Sequence, residues 1–158
     1  MGNRSLPLRR ALTPTYAALS TVPPWRPLGS LVLLCLHIPP QGCEYLVNNA
    51  FASQECDCME TMTLCAKLCV NEIVYGGEDI LTRTIQEVKD LPISALFVLS
   101  ACGPEIVGDD IVAVCEALQP EMKFRLVPIE CAGFRGSQYD GIDIALDAIL
   151  KKLIKDDV

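Results

Sequence analysis

The pattern of apolar and polar positions along the chain changes near residue 30. Ser30–Leu36 is a continuous apolar run, which is typical of a strand buried on both faces. Within residues 55–69, apolar side chains recur at intervals of four, three and four, which predicts one face of a helix. These positions are Cys58, Met62, Cys65 and Cys69. Glu72–Tyr75 is predicted to be a short strand that ends at Gly76 and Gly77.

The second half of the chain alternates helix and strand signals more regularly. The acidic pair Glu78 and Asp79 suits the positive end of a helix dipole, so a helix is predicted to begin there. After it, a strand is predicted at Ala95–Ser100, followed by a loop at 101–104 and a helix that is capped by Asp109 or Asp110 and runs through Leu118. A second strand is predicted at Phe124–Ile129, followed by a loop at Gly133–Gly136. The last helix is predicted to begin with a Ser137–Asp140 capping box and to run through Ile154. The side chains predicted to face inward from these helices are Ile80, Thr84, Ile85, Val88, Ile111, Val114, Cys115, Leu118, Ile142, Ala145, Leu146, Ile149, Leu150 and Leu153.

This alternation predicts an α/β domain at residues 30–158, with a mostly parallel sheet between two layers of helices. Residues 1–29 contain five prolines and no regular period, so they are predicted to be an irregular arm. Ligands of such sheets bind beyond the carboxyl ends of the strands. Cys43, Cys102 and the Gly133–Gly136 loop each follow a predicted strand, so the three are expected to lie along one edge.

Charge and composition narrow the possible functions. Residues 1–43 carry four arginines and no acid, whereas the rest of the chain carries all 20 acidic side chains against nine basic ones. An acidic domain argues against nucleic-acid binding as the main function. The longest apolar run is far shorter than the roughly 20 residues that span a membrane. We expect a cytoplasmic protein, since no secretory signal is evident.

The chain has nine cysteines and one histidine, so any metal site in it would be built mostly from thiolate ligands. Cys43 and Cys102 lie in loops at strand ends, where nearby backbone N–H groups stabilise a thiolate or a cluster ligand; small buried residues are the alternative. Four further cysteines form a Cys-x-Cys-x6-Cys-x3-Cys pattern, which matches neither a zinc ribbon nor a ferredoxin; they are Cys56, Cys58, Cys65 and Cys69. Core packing and an extra cluster ligand both stay open for them.

The other candidate residues have simpler interpretations. Cys35 and Cys115 are expected to be packing residues, the role of Cys131 stays open, and His37 is more typical of a structural residue than of a ligand. Asp109 and Asp110 are interpreted as helix caps before functional carboxylates. Arg135, in the Gly-Phe-Arg-Gly loop, could bind an anion beside a helix N-terminus, and Gly133 and Gly136 allow close backbone approach. The loop is neither a Walker A motif nor a dinucleotide fingerprint.

Four motifs in this order resemble the nitrogenase component 1 family: Gly-Cys at 42–43, Ile-Val-Tyr-Gly-Gly-Glu at 73–78, Cys-Gly-Pro-Glu-Ile-Val-Gly-Asp-Asp-Ile at 102–111, and Gly-Phe-Arg-Gly-Ser-Gln at 133–138. The resemblance covers roughly residues 30–154 and implies the first Rossmann-like domain of an α-type subunit. It implies that Cys43 and Cys102 hold an iron–sulfur cluster shared with a homologous second subunit, in a heterotetramer-type assembly. That cluster would relay electrons from a separate ATP-dependent iron–sulfur reductase to a reductive active site. Arg135, Gln138, Gly133 and Gly136 would border a metal-cofactor or substrate cavity.

The chain also departs from this family in ways that leave three hypotheses open. The family's further upstream cluster cysteine has no counterpart before Cys35, so Cys65, with Cys35 and Cys69 as alternatives, is the candidate third ligand. The histidine that follows Ser-Gln in molybdenum–iron α subunits is absent, and Ile142 stands near that place. The hypotheses are a nitrogenase-like oxidoreductase subunit that is not active alone, a non-catalytic scaffold for cofactor assembly, and a truncated product without activity. A full subunit is several times longer, so we expect a fragment or a divergent single domain.

Overall fold

The computed structural model describes residues 33–37, 63–66 and 68–154. Four strands form one sheet: β1 is Leu33–His37, β2 is Thr63–Cys65, β3 is Ala95–Leu99 and β4 is Arg125–Ile129. Their order is β2-β1-β3-β4, and every neighbouring pair is parallel. The predicted α/β class and parallel sheet are therefore confirmed, and the predicted irregular arm at 1–29 lies outside the described residues.

The strand order places a topological switch between β1 and β3. After β1 the chain crosses to β2 on one side of the sheet, and after β3 it crosses to β4 on the other. His37 and Leu99 are Cα partners, so the carboxyl ends of β1 and β3 are level with each other. Connections that leave in opposite directions open a crevice at such a point, which is where open α/β sheets bind ligands.

Five α-helices are present in the described part of the chain. They are α1 at Val70–Tyr75, α2 at Glu78–Glu87, α3 at Cys102–Val107, α4 at Ile111–Leu118 and α5 at Gln138–Ile149. A 3₁₀ turn at Gln119–Glu121 follows α4, and a π-helical turn at Leu150–Ile154 follows α5. None of the helices in these ranges has the length and apolar character that crossing a membrane requires.

Both faces of β3 are buried, and its alternating side chains enter two separate cores. Leu96 and Val98 pack with α2 and α4, whereas Phe97 and Leu99 pack with Ala145 of α5. A strand with helices on both sides must be apolar on both faces, which explains the continuous run at 95–99. The predicted three-layer arrangement is confirmed.

Two predicted elements near residue 70 are wrong. Residues 63–65 form strand β2 where a helical stripe was predicted, because pairing of these residues with Cys35–His37 satisfies their backbone groups at the edge of the sheet. Val70–Tyr75 is helix α1 and not a strand. Its start is stabilised by Glu72, whose Oε2 accepts the Cys69 N–H at 2.8 Å. This is the second half of a capping box, which the sequence does not signal because a cysteine stands where Ser or Thr is usual.

Two further corrections concern α3 and α5. The predicted loop at 101–104 is instead the start of α3. Pro104 is tolerated there because backbone N–H groups in the first turn of a helix have no intrahelical acceptor, so the missing N–H of proline costs no hydrogen bond. Leu146 and Leu150, predicted to face inward, are 45% and 52% exposed. Ala145 is buried in the core on this side of the sheet, and partly buried side chains of α5 and of the π-helical turn pack against the same core; they are Ile144, Ala148, Ile149 and Leu153.

Candidate functional site

Cys102 lies at the carboxyl edge of the sheet, three residues beyond the end of β3. It is the first residue of α3, and it is exposed. Its Sγ accepts a hydrogen bond from the Gly133 N–H, with an N···S distance of 3.2 Å. The structure thus brings the predicted cysteine together with the Gly133–Gly136 loop, as expected for loops that follow adjacent parallel strands.

The contact to Cys102 is the last of three made by consecutive backbone amides. The Cys131 N–H donates to Ser100 Oγ at 2.9 Å, the Ala132 N–H donates to Glu105 Oε1 at 3.1 Å, and the Gly133 N–H donates to Cys102 Sγ. We call this set the amide ladder. Its three acceptors all lie within residues 100–105, which follow β3 and form the first part of α3, so the ladder fastens the β4–α5 loop to the segment that carries the thiol.

Glu105 is the centre of this arrangement, and its side chain is only 6% exposed. Oε1 also accepts a hydrogen bond from the hydroxyl of Ser100, which is itself fully buried. Oε2 accepts from Arg135 Nε at 2.5 Å. A buried carboxylate is stable only when its oxygens are satisfied in this way.

Arg135 is held by two carboxylates, Glu105 from α3 and Glu130 from its own loop. Besides its contact with Glu105, its second guanidinium nitrogen lies 3.4 Å from Glu130 Oε1. The pKa of Arg135 is raised above its ordinary value, chiefly by the hydrogen bond to Glu105, with the charges of Glu105 and Glu130 adding to it against the opposing effect of burial. The guanidinium therefore has a structural role in this loop alongside any role toward a ligand.

Gly136 and Gln138 lie at the start of α5. The Ser137 N–H and hydroxyl both donate to Asp140 Oδ2, at 2.6 and 2.7 Å, which confirms the predicted capping box. These bonds lower the pKa of Asp140 below its ordinary value. A Cβ at Gly136 would lie 2.5 Å from Asp140 Oδ2, so glycine is required for the close approach. Gln138 is the first residue of α5 and is partly buried.

The Gly-Asp-Asp motif joins two helix starts. The Gly77 N–H, at the start of α2, donates to both carboxylate oxygens of Asp109 at 2.9 Å. In return, the Asp110 N–H donates to Glu78 Oε1 at 2.9 Å, while Asp110 Oδ1 caps α4 by accepting the Ala113 N–H at 2.8 Å. We call this set the helix-start clamp. It is consistent with the interpretation of both aspartates as structural caps.

The remaining described cysteines have different environments. Cys115 is a residue of α4 and is buried in the core, so its predicted packing role is confirmed. Burial raises the pKa of its thiol to about 12. Cys131 is buried, and its thiol lies 3.8 Å from the Ser100 carbonyl. Cys69 is exposed at the start of α1, and Cys65 is partly buried at the end of β2. Cys35 lies within β1 as predicted, whereas His37, predicted to lie beside the strand, is the last residue of β1.

Three of the predicted or considered cysteines, Cys43, Cys56 and Cys58, lie outside the described residues. Within 33–37, 63–66 and 68–154, no three His, Cys, Asp or Glu side chains are grouped as a metal site. Sequence reasoning missed Ser100 and Glu105 as members of the Cys102 environment. A glutamate three residues after a cysteine has no distinctive spacing, and only the position of the β4–α5 loop reveals its role.

Comparisons with known proteins place the chain among a single group. A family model described as "Nitrogenase component 1 type Oxidoreductase" matches residues 33–158. The chain is 36% identical over 108 residues to the nitrogenase iron-molybdenum cofactor biosynthesis protein NifE of Bradyrhizobium diazoefficiens, covering 68% of this chain and 20% of that protein. It is 38% identical over 135 residues to the nitrogenase molybdenum-iron protein alpha chain of Rhodobacter capsulatus, covering 79% of this chain and 26% of that protein.

Solved structures show the same fold. The structure of nitrogenase Cp1 at pH 6.5 superposes with a TM-score of 0.72 at 23% identity, covering 96% of this chain and 31% of that one. The chain thus spans about a fifth to a quarter of the length of the relatives it matches in sequence, and about a third of the solved chain.

Proposed function

The chain belongs to the nitrogenase component 1 type oxidoreductase family, and on this premise we propose that it holds an iron–sulfur cluster at a contact with a homologous second subunit. Cys102 is the ligand that the geometry supports best. Its sulfur is exposed at the switch-point edge of the sheet and already accepts a backbone N–H. N–H donors aimed at sulfur are the usual surroundings of iron–sulfur ligands.

The three proposed ligands all lie at or after the carboxyl ends of strands in the same parallel sheet. Cys43 follows the end of β1 by six residues, and β1 and β3 end side by side at the switch point. Cys65 is the candidate third ligand: it is in register with His37, which is in register with Leu99. Two strand spacings put Cys65 about 10 Å from the end of β3. Further thiolates would come from the second subunit, as the family resemblance implies.

A bound iron–sulfur cluster would supply one-electron transfer at this edge. Within the family premise, we propose that the electrons come from an ATP-dependent iron–sulfur reductase, in an assembly located in the cytoplasm. The thiolate of Cys102 would neutralise iron charge, and the Gly133 N–H would stabilise that thiolate. Residues 133–138 would border the metal-cofactor or substrate cavity. There Gln138 offers an amide, and Arg135, held by its two carboxylates, keeps the loop in shape.

The test is anaerobic reconstitution of the full chain with iron and sulfide, followed by iron analysis and EPR. We expect iron uptake by the wild-type chain, strong loss of it in Cys43→Ala and Cys102→Ala, and partial loss in Cys65→Ala. Cys115→Ala serves as the control, because it removes a thiol that is buried away from the sheet edge. A wild-type chain that takes up no iron, alone or with a second subunit, would contradict the proposal.

A second candidate function is a scaffold for cofactor assembly. It is favoured by the similarity to the NifE protein of Bradyrhizobium diazoefficiens, a cofactor biosynthesis protein by name. It is also favoured by Ile142, which stands near the place of a substrate-side histidine in the α subunits that this chain resembles. The two functions separate in one assay. A scaffold transfers its metal group to a metal-free acceptor subunit, whereas an electron relay retains its cluster and is reduced by the reductase and ATP.

A further inference from the structure

The amide ladder depends on one buried carboxylate. Glu105 Oε1 accepts from the residue before Gly133, and Oε2 accepts from the residue two positions after it, through Ala132 N–H and Arg135 Nε. The turn between these two contacts is closed by its own backbone bond, from the Arg135 N–H to the Ala132 carbonyl at 3.0 Å. The turn therefore moves as a unit, and Glu105 holds both of its ends.

The direction of the Gly133 N–H follows from where this turn lies. Its acceptor, Cys102 Sγ, is exposed and offers a long, soft hydrogen bond that is weak compared with those made by a carboxylate. The stronger partner sets the geometry, and the weaker one is satisfied as a result. Ser100 supports this by donating to Glu105 while accepting from Cys131.

We infer that Glu105 is a positioning residue, which aims the Gly133 N–H at the sulfur of Cys102 without touching that sulfur itself. The inference rests on the proposed function in one respect, namely that Cys102 is a cluster ligand. Its structural part, the control of one amide by one carboxylate, stands independently. Hydrogen bonds to ligand sulfurs tune the reduction potential of an iron–sulfur group. Glu105 would therefore tune that potential indirectly, by holding Ala132, the neighbour of the Gly133 amide that donates to Cys102.

Amide hydrogen exchange, measured by NMR on the full metal-free chain under reducing anaerobic conditions, tests the structural part. In Glu105→Ala, we expect exchange at Ala132 and Gly133 to accelerate by about tenfold or more, because each loses a held hydrogen bond. Exchange at Phe97 should stay unchanged, since that residue lies in the middle of β3, which is paired with β1 on one side and β4 on the other.

Two variants sharpen this test. Glu105→Gln keeps the chain length and one carbonyl oxygen for Ala132 and Ser100, so it should restore most of the protection at Ala132 and Gly133. Glu87→Ala removes an exposed glutamate at the end of α2 and should leave all three amides unchanged. Unchanged Gly133 exchange in Glu105→Ala would overturn the inference. Loss of the native spectrum in both Glu105 variants would also overturn it, because Glu105 would then be a general folding residue.

A second readout separates this inference from the proposed function. The reconstituted wild-type and Glu105→Ala chains are compared by EPR and by redox titration, and we expect a changed spectrum and a shifted potential in Glu105→Ala with iron content retained. Glu105→Gln, which keeps an acceptor for the Ala132 N–H, should lie closer to wild type in both measurements. If the wild-type chain binds no cluster, the proposed function fails while the exchange result stands. If a cluster is bound and neither spectrum nor potential changes in Glu105→Gln or Glu105→Ala, the positioning role fails while the proposed function stands.

Discussion

Removal of the Asp109 carboxylate should destabilise the domain by breaking the helix-start clamp. In the native chain, both oxygens of Asp109 share the single Gly77 N–H, so the interaction counts as one hydrogen bond to a charged acceptor. Such a bond contributes about 1.5–3 kcal/mol. Asp109 is partly buried, and the desolvation of its charge offsets some of this gain. We therefore expect Asp109→Ala to lower the free energy of unfolding by about 1–2 kcal/mol at neutral pH.

Urea and thermal unfolding of the metal-free chain measure this loss. For a domain of this size, it corresponds to a fall in Tm of about 2–8 °C. Asp143→Ala is the control, since Asp143 is exposed on α5 and should change the unfolding free energy by less than about 0.5 kcal/mol. If Asp109→Ala falls within the same margin, the clamp does not stabilise the fold and the reasoning is refuted.

The pH dependence of stability, compared between wild type and Asp109→Asn, gives an independent check. Burial raises the pKa of Asp109, the Gly77 N–H opposes that change, and the charge of Glu78 adds to it. The folded chain therefore holds its proton more tightly than the unfolded chain, whose value is near 3.8. The part of the Asp109 contribution that depends on its proton is fully present below that pH and declines as pH rises through the raised pKa, whereas the bond from the Gly77 N–H is still made at neutral pH. Asp109→Asn does not titrate, so its stability relative to wild type should improve over that interval.

Two further predictions concern single side chains. N-ethylmaleimide should alkylate the exposed Cys102 readily in the native chain and leave Cys115 unmodified, because Cys115 is buried and its thiol pKa is about 12. Peptide mass spectrometry measures both, and equal labelling of the two would contradict the described burial. Asp140 has a lowered pKa, chiefly through the Ser137 hydroxyl and then the Ser137 N–H, so its stabilising contribution should be present above pH 3.8 and lost as pH falls through the lower folded value. Acid titration of Asp140→Asn beside wild type should show a flatter loss of stability, and identical curves would argue against the capping box.

Much of the fold could be predicted from local pattern. Strands β3 and β4, helices α2, α4 and α5, and the caps at Asp110 and Ser137 follow from apolar periodicity and short-range capping chemistry. The segment around β2 and α1 could not be predicted in the same way. A three-residue strand has too few positions to show a period, and its pairing partner, β1, lies more than 20 residues earlier in the chain.

The candidate site, too, could be predicted only in part from local sequence. The chain's own residues determined that Cys102 follows a strand, that glycines flank Arg135, and that two acids precede α4, because these are relations between neighbours in sequence. Only the tertiary structure decided what surrounds the thiol. Ser100, Glu105 and the amides of residues 131–133 meet because adjacent parallel strands end at one edge of the sheet. A buried carboxylate that holds a turn across that edge depends on a contact between residues 27 to 30 positions apart, which no local pattern encodes.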